Sequence, residues 1–264
     1  MANIKKKSPL KAQPLRYPGQ SLTEEIRDIA YDSIISPALL AIFTIVVALL
    51  QWYEKTYDKP PLPEVWTFVA IVVTGYAIAK YMYAKKEISN RKLGRDGERE
   101  VGQFLESLRT KGYFVFHDLI GDGFNLDHII IGPAGAFTIE TKTWSKPGKG
   151  QAIIDYDSKG IRMNGGTISE KPIIQAKAQR DWLQKLILKI TGRDVSVKAV
   201  VVYPGWFIKA SKKNNDVWVL EPKALPKYLA NEKEIFSGDD VNEISFQISR
   251  YIRSGEENKK MTVI

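Results

Sequence analysis

The sequence predicts a mixed α/β domain preceded by two transmembrane helices. Two apolar runs with almost no charge lie in the N-terminal part of the chain. From about Gly94 onward, short apolar segments bounded by glycine-rich turns alternate with longer segments of helical period, as in strands packed against helices. We therefore divide the chain into a basic N-terminal segment, a helical hairpin, the α/β domain and a flexible tail, at residues 1–32, 33–84, 94–255 and 256–264.

The apolar runs at residues 34–52 and 65–83 are each about as long as a membrane-spanning helix requires. Lysines and arginines flank the pair on both outer sides, whereas the charges of the short connection nearly cancel. The positive-inside rule predicts a multi-pass protein of the cell inner membrane, with the lipid bilayer as a partner and with both termini and the α/β domain in the cytoplasm. The alternative is two buried helices of a globular core, which the length of the runs disfavours.

The elements of the domain follow in chain order. GEREVGQFLESL is expected to form a helix, YFVFHDL, DHIIIG and AFTIETKTW three strands, and QAIIDY with GIRMNG a further hairpin. A helix is predicted over 172–190, ended by Gly192. The strands VSVKAVVVYP and DVWVLEP and a helix over 241–253 complete the domain.

The composition excludes several classes of chemistry. The chain has no cysteine and only two histidines, His117 and His128, both in strand-like sequence. A cysteine nucleophile and a Cys/His zinc site are therefore excluded, and a serine–histidine triad is disfavoured. Carboxylates, lysine and a hard cation such as Mg²⁺ remain. The formal net charge of +9 indicates an anionic partner, although membrane topology explains much of the basic charge.

The hairpin NLDHIIIGPAGAFTIETKTW carries two carboxylates inside apolar strands. If GPAG is a tight turn, Ile131 faces Ala136, and counting outward makes Asp127 face Glu140. Lys142 lies two residues further and returns to the same face. Facing carboxylates repel each other, so this face fits Mg²⁺-assisted phosphodiester hydrolysis with Lys142 acting on the attacking water or the transition state. The alternative is a half-exposed hairpin with charged groups on its solvent-facing side.

Two helices supply further candidates. Gln175 and Gln179 share an apolar stripe on the helix over 172–190, and they require polar partners there. A glutamine at this place holds the lysine or the scissile phosphate, or it is simply solvated at the helix start. Glu98 and Glu100 lie at opposite edges of the apolar face of the first helix, and the pattern does not choose between them.

At these residues the chain resembles the NERD (nuclease-related domain) family of restriction-endonuclease-like PD-(D/E)xK nucleases. The resemblance extends from GRDGERE through the hairpin to IIQAKAQRDWL and VVVYP, roughly residues 94–220. It implies an α/β, restriction-endonuclease-like core, with a mixed central sheet flanked by helices, and DNA cleavage that depends on Mg²⁺ or alternatively Mn²⁺. The implied metal ligands are Asp127, Glu140 and Glu98, with Lys142 as the catalytic lysine and Gln175 as the glutamine of the following helix. Some relatives have a tyrosine four residues beyond that glutamine, where this chain has Gln179.

The sequence thus predicts a membrane-anchored, divalent-metal-dependent DNA nuclease with a cytoplasmic catalytic domain and no small-molecule cofactor. The alternative is a catalytically inactive module that binds DNA or a protein partner at the membrane. Its phosphate contacts would come from basic side chains, which are Lys142, Lys146, Lys149, Arg162 and Lys171. A transporter is disfavoured, because two spans with no buried acid and no broken helix offer no transport pathway unless the chain forms a homo-oligomer.

Overall fold

The computed structural model describes residues 15–56, 62–121, 123–157, 160–210 and 216–262. The chain divides into two compact units. We refer to Ser21–Arg95 as the hairpin unit, and to the described parts of Met1–Gln20 and Asp96–Ile264 as the α/β unit. Much of the predicted basic segment, residues 1–14, and the last two residues of the predicted tail lie outside the described residues.

The hairpin unit is made of long apolar helices. Its elements are helix α1 (Gln20–Ala30), a π-helical turn (Tyr31–Ile35), helix α2 (Ser36–Lys55) and the first part of helix α3 (Pro63–Glu106). Two stretches, Gln20–Lys55 and Pro63–Lys111, are long and apolar enough to cross a membrane by length and composition alone. Both predicted spans therefore lie in helices.

Helix α3 differs from the sequence prediction, because a single helix of 44 residues contains both the second apolar run and the predicted first helix of the domain. The helix continues through Gly94, where the change of pattern predicts a boundary. No proline occurs within α3 after Pro63, and a glycine costs a helix only about 1 kcal/mol relative to alanine. The composition therefore changes at this point without a break in the backbone.

The α/β unit contains two mixed sheets and packed helices. The strands are β1 (Phe114–Ile120), β2 (Asn125–Gly132), β3 (Gly135–Thr141), β4 (Ile153–Asp157), β5 (Gly160–Met163), β6 (Ile168–Ser169), β7 (Val197–Val202), β8 (Phe207–Ala210) and β9 (Val217–Leu220). The remaining helices are α4 (Lys171–Thr191), α5 (Leu225–Ala230) and α6 (Gly238–Thr262), with short 3-10 turns at Ser107–Lys111 and Pro222–Ala224. Helix α6 is longer than predicted, and it extends into the residues assigned to the flexible tail.

The larger sheet has the strand order β1-β2-β3-β7-β9, in which β1 to β3 are antiparallel and β7 and β9 run parallel to β3. Helices α4 and α6 cover one face, where Ile129, Ile131 and Leu183 pack together. Helices α3 and α5 cover the other face, around Ile130 and Val200. The predicted mixed sheet flanked by helices is confirmed.

The smaller sheet has the order β6-β5-β4-β8. Its strands β4, β5 and β6 lie in the chain between β3 and α4, whereas β8 lies between β7 and β9. The predicted hairpin of β4 and β5 is present. Strands β6 and β8 were not predicted, because they are two and four residues long and their side chains are largely exposed.

The segment Leu15–Gln20 belongs to the α/β unit, although the sequence analysis assigned it to the basic N-terminal segment. Leu15 packs against the core on the α4 and α6 side. Arg16 forms an ion pair of 2.6 Å with Asp118, and both side chains are almost fully buried. Pro18 lies against Gly102 of α3. An isolated arginine in a basic run gives no sign in the sequence that it has a buried partner a hundred residues away.

Candidate active site

The β2–β3 hairpin has the register that the sequence predicts. Ile131 pairs with Ala136 and Ile129 with Thr138, and the regular pairing ends at His128 and Ile139. Asp127 and Glu140 are the next residues on the two strands. The Asp127 carboxylate accepts a hydrogen bond of 2.7 Å from the Thr141 backbone amide, which closes this end of the hairpin.

Lys142 and Gln175 meet at the same place. The Lys142 Nζ atom lies 2.5 Å from Glu140 Oε1 and 2.9 Å from Gln175 Oε1. Glu140 is only 2% exposed, whereas the Lys142 side chain is 25% exposed. The ammonium group therefore neutralises a buried carboxylate from a position that solvent reaches. The structure thus brings together Asp127, Glu140, Lys142 and Gln175, as the sequence analysis expected.

Gln179 is a site residue that the sequence analysis did not select. Its side-chain amide donates to the second oxygen of Glu140 and, at 3.0 Å, to the Asn125 backbone carbonyl. One helical turn separates Gln175 and Gln179 on α4, so Gln175 holds the lysine and Gln179 holds the carboxylate. The signal was present in the sequence, since Gln179 lies on the apolar stripe of its helix, but solvation at the helix start was an equally good explanation.

Asp127 has an unfavourable electrostatic environment. Burial raises its pKa well above the usual range, and the charges of Glu140 and Glu98 raise it further, while the Thr141 amide and Lys142 act in the opposite direction. Glu98 is buried near the end of α3, whereas Glu100 is exposed. The structure therefore distinguishes the two acids of this helix and selects Glu98 as the one that acts on the site.

Helix α3 approaches the site closely at Gly97. A Cβ atom at this position would lie 1.8 Å from Thr143 Oγ1 and 2.9 Å from Thr143 Cβ. Only a glycine fits here without movement of the chain that follows β3. The adjacent residue, Glu98, is thereby brought to the edge of the sheet at which β3 ends.

Several buried polar atoms near this edge have no hydrogen-bond partner within the described residues. They are Thr141 Oγ1, Thr143 Oγ1, Gln179 Oε1 and the Tyr203 hydroxyl. Buried polar groups are normally hydrogen-bonded, so a cluster of unpartnered ones is typical of a place where water or a ligand binds. Burial and the charge of Glu140 raise the pKa of Tyr203, which indicates that the phenol lies near this carboxylate.

The donor set fits a hard divalent cation. Mg²⁺ is usually held by one or two carboxylates together with waters and substrate phosphates, and Asp127 and Glu140 supply two carboxylates whose repulsion a cation would relieve. Within the described residues, no three acidic or histidine side chains form a complete metal cage. Each oxygen of Glu140 accepts one hydrogen bond here, from Lys142 and from Gln179, and each keeps a further lone pair for a metal ion.

The acid on β2, Glu140 near the end of β3 with Lys142 directly after it, and the glutamines of α4 lie within one continuous part of the chain. Residues 93–204 match the family model of the nuclease-related domain, NERD. The nuclease-related segment includes the residues that form the site, which are Glu98, Asp127, Glu140, Lys142, Gln175, Gln179 and Tyr203. This part of the chain is therefore similar to the nuclease-related domain.

Two further similarities concern parts of the chain. An uncharacterized protein of Bacillus anthracis is 37% identical over 96 residues, which cover 34% of this chain and 42% of that protein. The chain thus spans well under half the length of this curated relative. The structure of Pyrococcus furiosus SfsA in complex with Ca²⁺ is similar over 49% of this chain and 55% of that chain, with 17% identity and a TM-score of 0.24. A similarity this weak carries no argument about the nuclease-related segment.

Proposed function

We propose that the protein is a membrane-anchored, divalent-metal-dependent DNA nuclease with a restriction-endonuclease-like catalytic domain in the cytoplasm. The observation that carries this proposal is the contact set of Asp127, Glu140, Lys142 and Gln175 within the nuclease-related segment. Mg²⁺ or Mn²⁺ would be held by Asp127 and Glu140, with Glu98 close by. The bound ion would supply activation of a water molecule and charge neutralisation at the phosphodiester.

The protein side chains have distinct roles in this proposal. Gln175 keeps the Lys142 ammonium at the solvent-accessible edge of the site, where it meets the scissile phosphate. Lys142 stabilises the negative charge that develops on the phosphate oxygens, or it orients the attacking water. Gln179 holds the Glu140 carboxylate in one orientation through its second oxygen. DNA is the proposed substrate because the site offers carboxylates for a metal and a lysine for a phosphate.

The membrane anchor is supported by the surface of the hairpin unit. Its two long helices carry large apolar side chains that the rest of the unit leaves open, for example Leu39 at 62%, Phe43 at 61% and Phe68 at 67% exposure. Contiguous exposed apolar surface of this kind indicates an interaction with a membrane or a protein. The basic residues that flank the pair support a cytoplasmic position for both ends.

One observation favours the second candidate, a catalytically inactive module that binds DNA at the membrane. Lys142 and Gln179 satisfy both oxygens of Glu140 without a metal ion. The Glu140 carboxylate therefore needs no cation to satisfy its hydrogen bonds. The two candidates differ in whether Lys142 leaves Glu140 when DNA and a divalent ion are present.

The decisive experiment uses the full chain in detergent, with linear and supercoiled DNA and with Mg²⁺ or Mn²⁺. We expect Asp127→Asn to abolish cleavage, because it removes a metal ligand, and to raise the midpoint of thermal unfolding at neutral pH. The raised pKa of Asp127 means that folding disfavours its charged form, so stability is lost as pH rises through the folded-state pKa and a neutral asparagine avoids that loss.

Asp155→Asn is the matched control, since Asp155 lies on β4 in the smaller sheet. This variant should cleave DNA at the wild-type rate. Cleavage by Asp127→Asn at the wild-type rate would refute the assignment of the site. A wild-type protein that binds DNA but cleaves none with either ion would support the inactive module.

A further inference from the structure

Tyr203 combines complete burial with an unpartnered hydroxyl group. Its side chain has 0% exposure, and no described group makes a hydrogen bond to its oxygen. A phenol in such a place is normally bonded, because its donor is otherwise withdrawn from water without compensation. The position of this hydroxyl beside the site therefore needs an explanation.

The fold places Tyr203 on the same face of the sheet as the site residues. Strand β7 pairs in parallel with β3 up to Thr141 and Val202, and the Lys142 amide donates to the Val202 carbonyl at 2.9 Å. Tyr203 is the next residue of its strand, as Lys142 is of the other, so the two side chains leave the sheet on the same side. The Tyr203 ring packs in one cluster with Val201 and Ala176, which follows Gln175 on α4.

The Tyr203 ring is also fixed in place. Its centroid lies 4.9 Å from that of Trp144, and the Trp206 indole donates to the Trp144 backbone carbonyl at 3.4 Å. The ring is therefore held by packing, without a hydrogen bond of its own hydroxyl, on the face of the sheet that also carries Glu140 and Lys142. The Tyr203 hydroxyl therefore remains available to donate a hydrogen bond when the side chains of the site rearrange.

Such a rearrangement follows from the proposed function, on which this inference rests. In the structure, the Lys142 ammonium donates to Glu140 and to Gln175, and a turn of its side chain towards a phosphate in solvent lengthens its bond to the buried Glu140. We propose that Tyr203 is a positioning residue, whose hydroxyl donates to the Glu140 carboxylate once Lys142 has turned from Glu140 to the substrate. Glu140 thereby keeps a donor on each side while Lys142 acts, and its orientation towards a metal ion is maintained.

This exchange of hydrogen-bond donors at Glu140 predicts that Tyr203→Phe lowers kcat without lowering stability. Tyr203→Phe removes a hydroxyl that is unpartnered in the free protein, so the midpoint of thermal unfolding should stay the same or rise. The same substitution removes the replacement donor, so kcat should fall about tenfold while KM for DNA stays within about twofold. A tyrosine with a merely structural role would lower stability and leave kcat unchanged.

Tyr156→Phe is the matched control in the full-length protein in detergent. Tyr156 is buried in the same cluster, but its hydroxyl donates to the Val217 carbonyl at 3.3 Å. This variant should lose a little stability and keep its kcat. Calorimetric Mn²⁺ binding to the protein saturated with a non-cleavable phosphorothioate DNA is the second readout, and Tyr203→Phe should weaken the affinity for the ion about tenfold relative to wild type under these conditions.

The outcomes separate this inference from the proposed function. Wild-type kcat and Mn²⁺ affinity in Tyr203→Phe, with an active wild-type enzyme, would overturn the inference alone. A lower unfolding midpoint with unchanged kcat would also overturn it, because Tyr203 would then be structural. A wild-type protein that neither binds Mn²⁺ nor cleaves DNA would overturn the proposed function and the inference with it.

Discussion

At the scale of single residues, the two histidines form a buried pair beneath α3. The Nδ1 atoms of His117 and His128 are 2.9 Å apart, and His117 Nε2 lies 2.9 Å from Glu106. Only one proton fits between the two Nδ1 atoms, so at least one ring is neutral. Burial lowers the pKa of both groups, and His117 lowers that of His128 further. The fold therefore requires a largely uncharged pair.

We expect this pair to make the protein less stable in mild acid. The unfolded chain takes up protons as pH falls below about 6.5, whereas the folded chain does so only at lower pH, so the free energy of unfolding decreases in that window. Denaturant unfolding of the full chain at pH 7.5 and pH 5.5 measures this decrease. His128→Asn should reduce the difference between the two pH values, and an equal difference in both proteins would contradict the role of the pair.

The sequence predicted that three of the site residues lie together, because period-two alternation and a two-residue turn determine which side chains share a face. Asp127, Glu140 and Lys142 follow from that count alone. Gln179 and Tyr203 could not be selected in the same way. Their roles depend on how α4 and β7 are placed against β3, and this placement is set by packing between segments far apart in the sequence.

At the scale of elements, α3 lies close to the site because it has a glycine at the point of contact. Gly97 lies against Thr143, the residue that follows Lys142, and the contact leaves no room for a side chain. The sequence predicted a helix at this place, but it gave no sign that one of its glycines marks a contact. The short strands β6 and β8 were missed for a related reason, since pairing within the smaller sheet rather than local propensity makes them strands.

We expect Gly97→Ala to lower both stability and cleavage, because the added methyl group would displace either α3 or the residues after β3. Overpacking of this kind costs about 1–3 kcal/mol of unfolding free energy. Thermal unfolding and the cleavage assay together measure the effect. Gly75→Ala is the control within the same helix, since no atom lies within 4 Å of its added Cβ.

A second substitution tests the cause. Thr143→Ala removes the atom closest to the new methyl group, so it should restore part of the lost stability in the Gly97→Ala background. Independent, additive losses in the double variant would contradict a direct clash between these two residues.

At the scale of the whole molecule, the α/β unit is assembled from two separate parts of the sequence. The ion pair of Arg16 and Asp118 joins these two parts, and its side chains have exposures of only 2% and 3%. Asp118 also has a positive φ of 52°, which a residue other than glycine seldom adopts. The N-terminal segment therefore supplies a buried cation to a carboxylate of the nuclease-related segment.

We expect Arg16→Met to lower the free energy of unfolding by about 3–5 kcal/mol, because it leaves a buried carboxylate without its cation. The double variant Arg16→Met with Asp118→Asn should recover most of that loss, and thermal unfolding of the full chain measures both. The exposed pair of Arg193 and Asp240 is the control, since Arg193→Met should change the midpoint little. An equally small change for Arg16→Met would argue against a structural role of the N-terminal segment.

The Arg16–Asp118 contact also fixes the parity of membrane crossing. The two residues precede and follow the hairpin unit in the sequence, and they share one buried ion pair, so they occupy the same compartment. Under the proposed membrane anchoring, the chain between them therefore crosses the bilayer an even number of times. A single-anchor topology, in which only one of the apolar runs spans, is incompatible with this pair. The orientation of one end of the hairpin consequently determines that of the other.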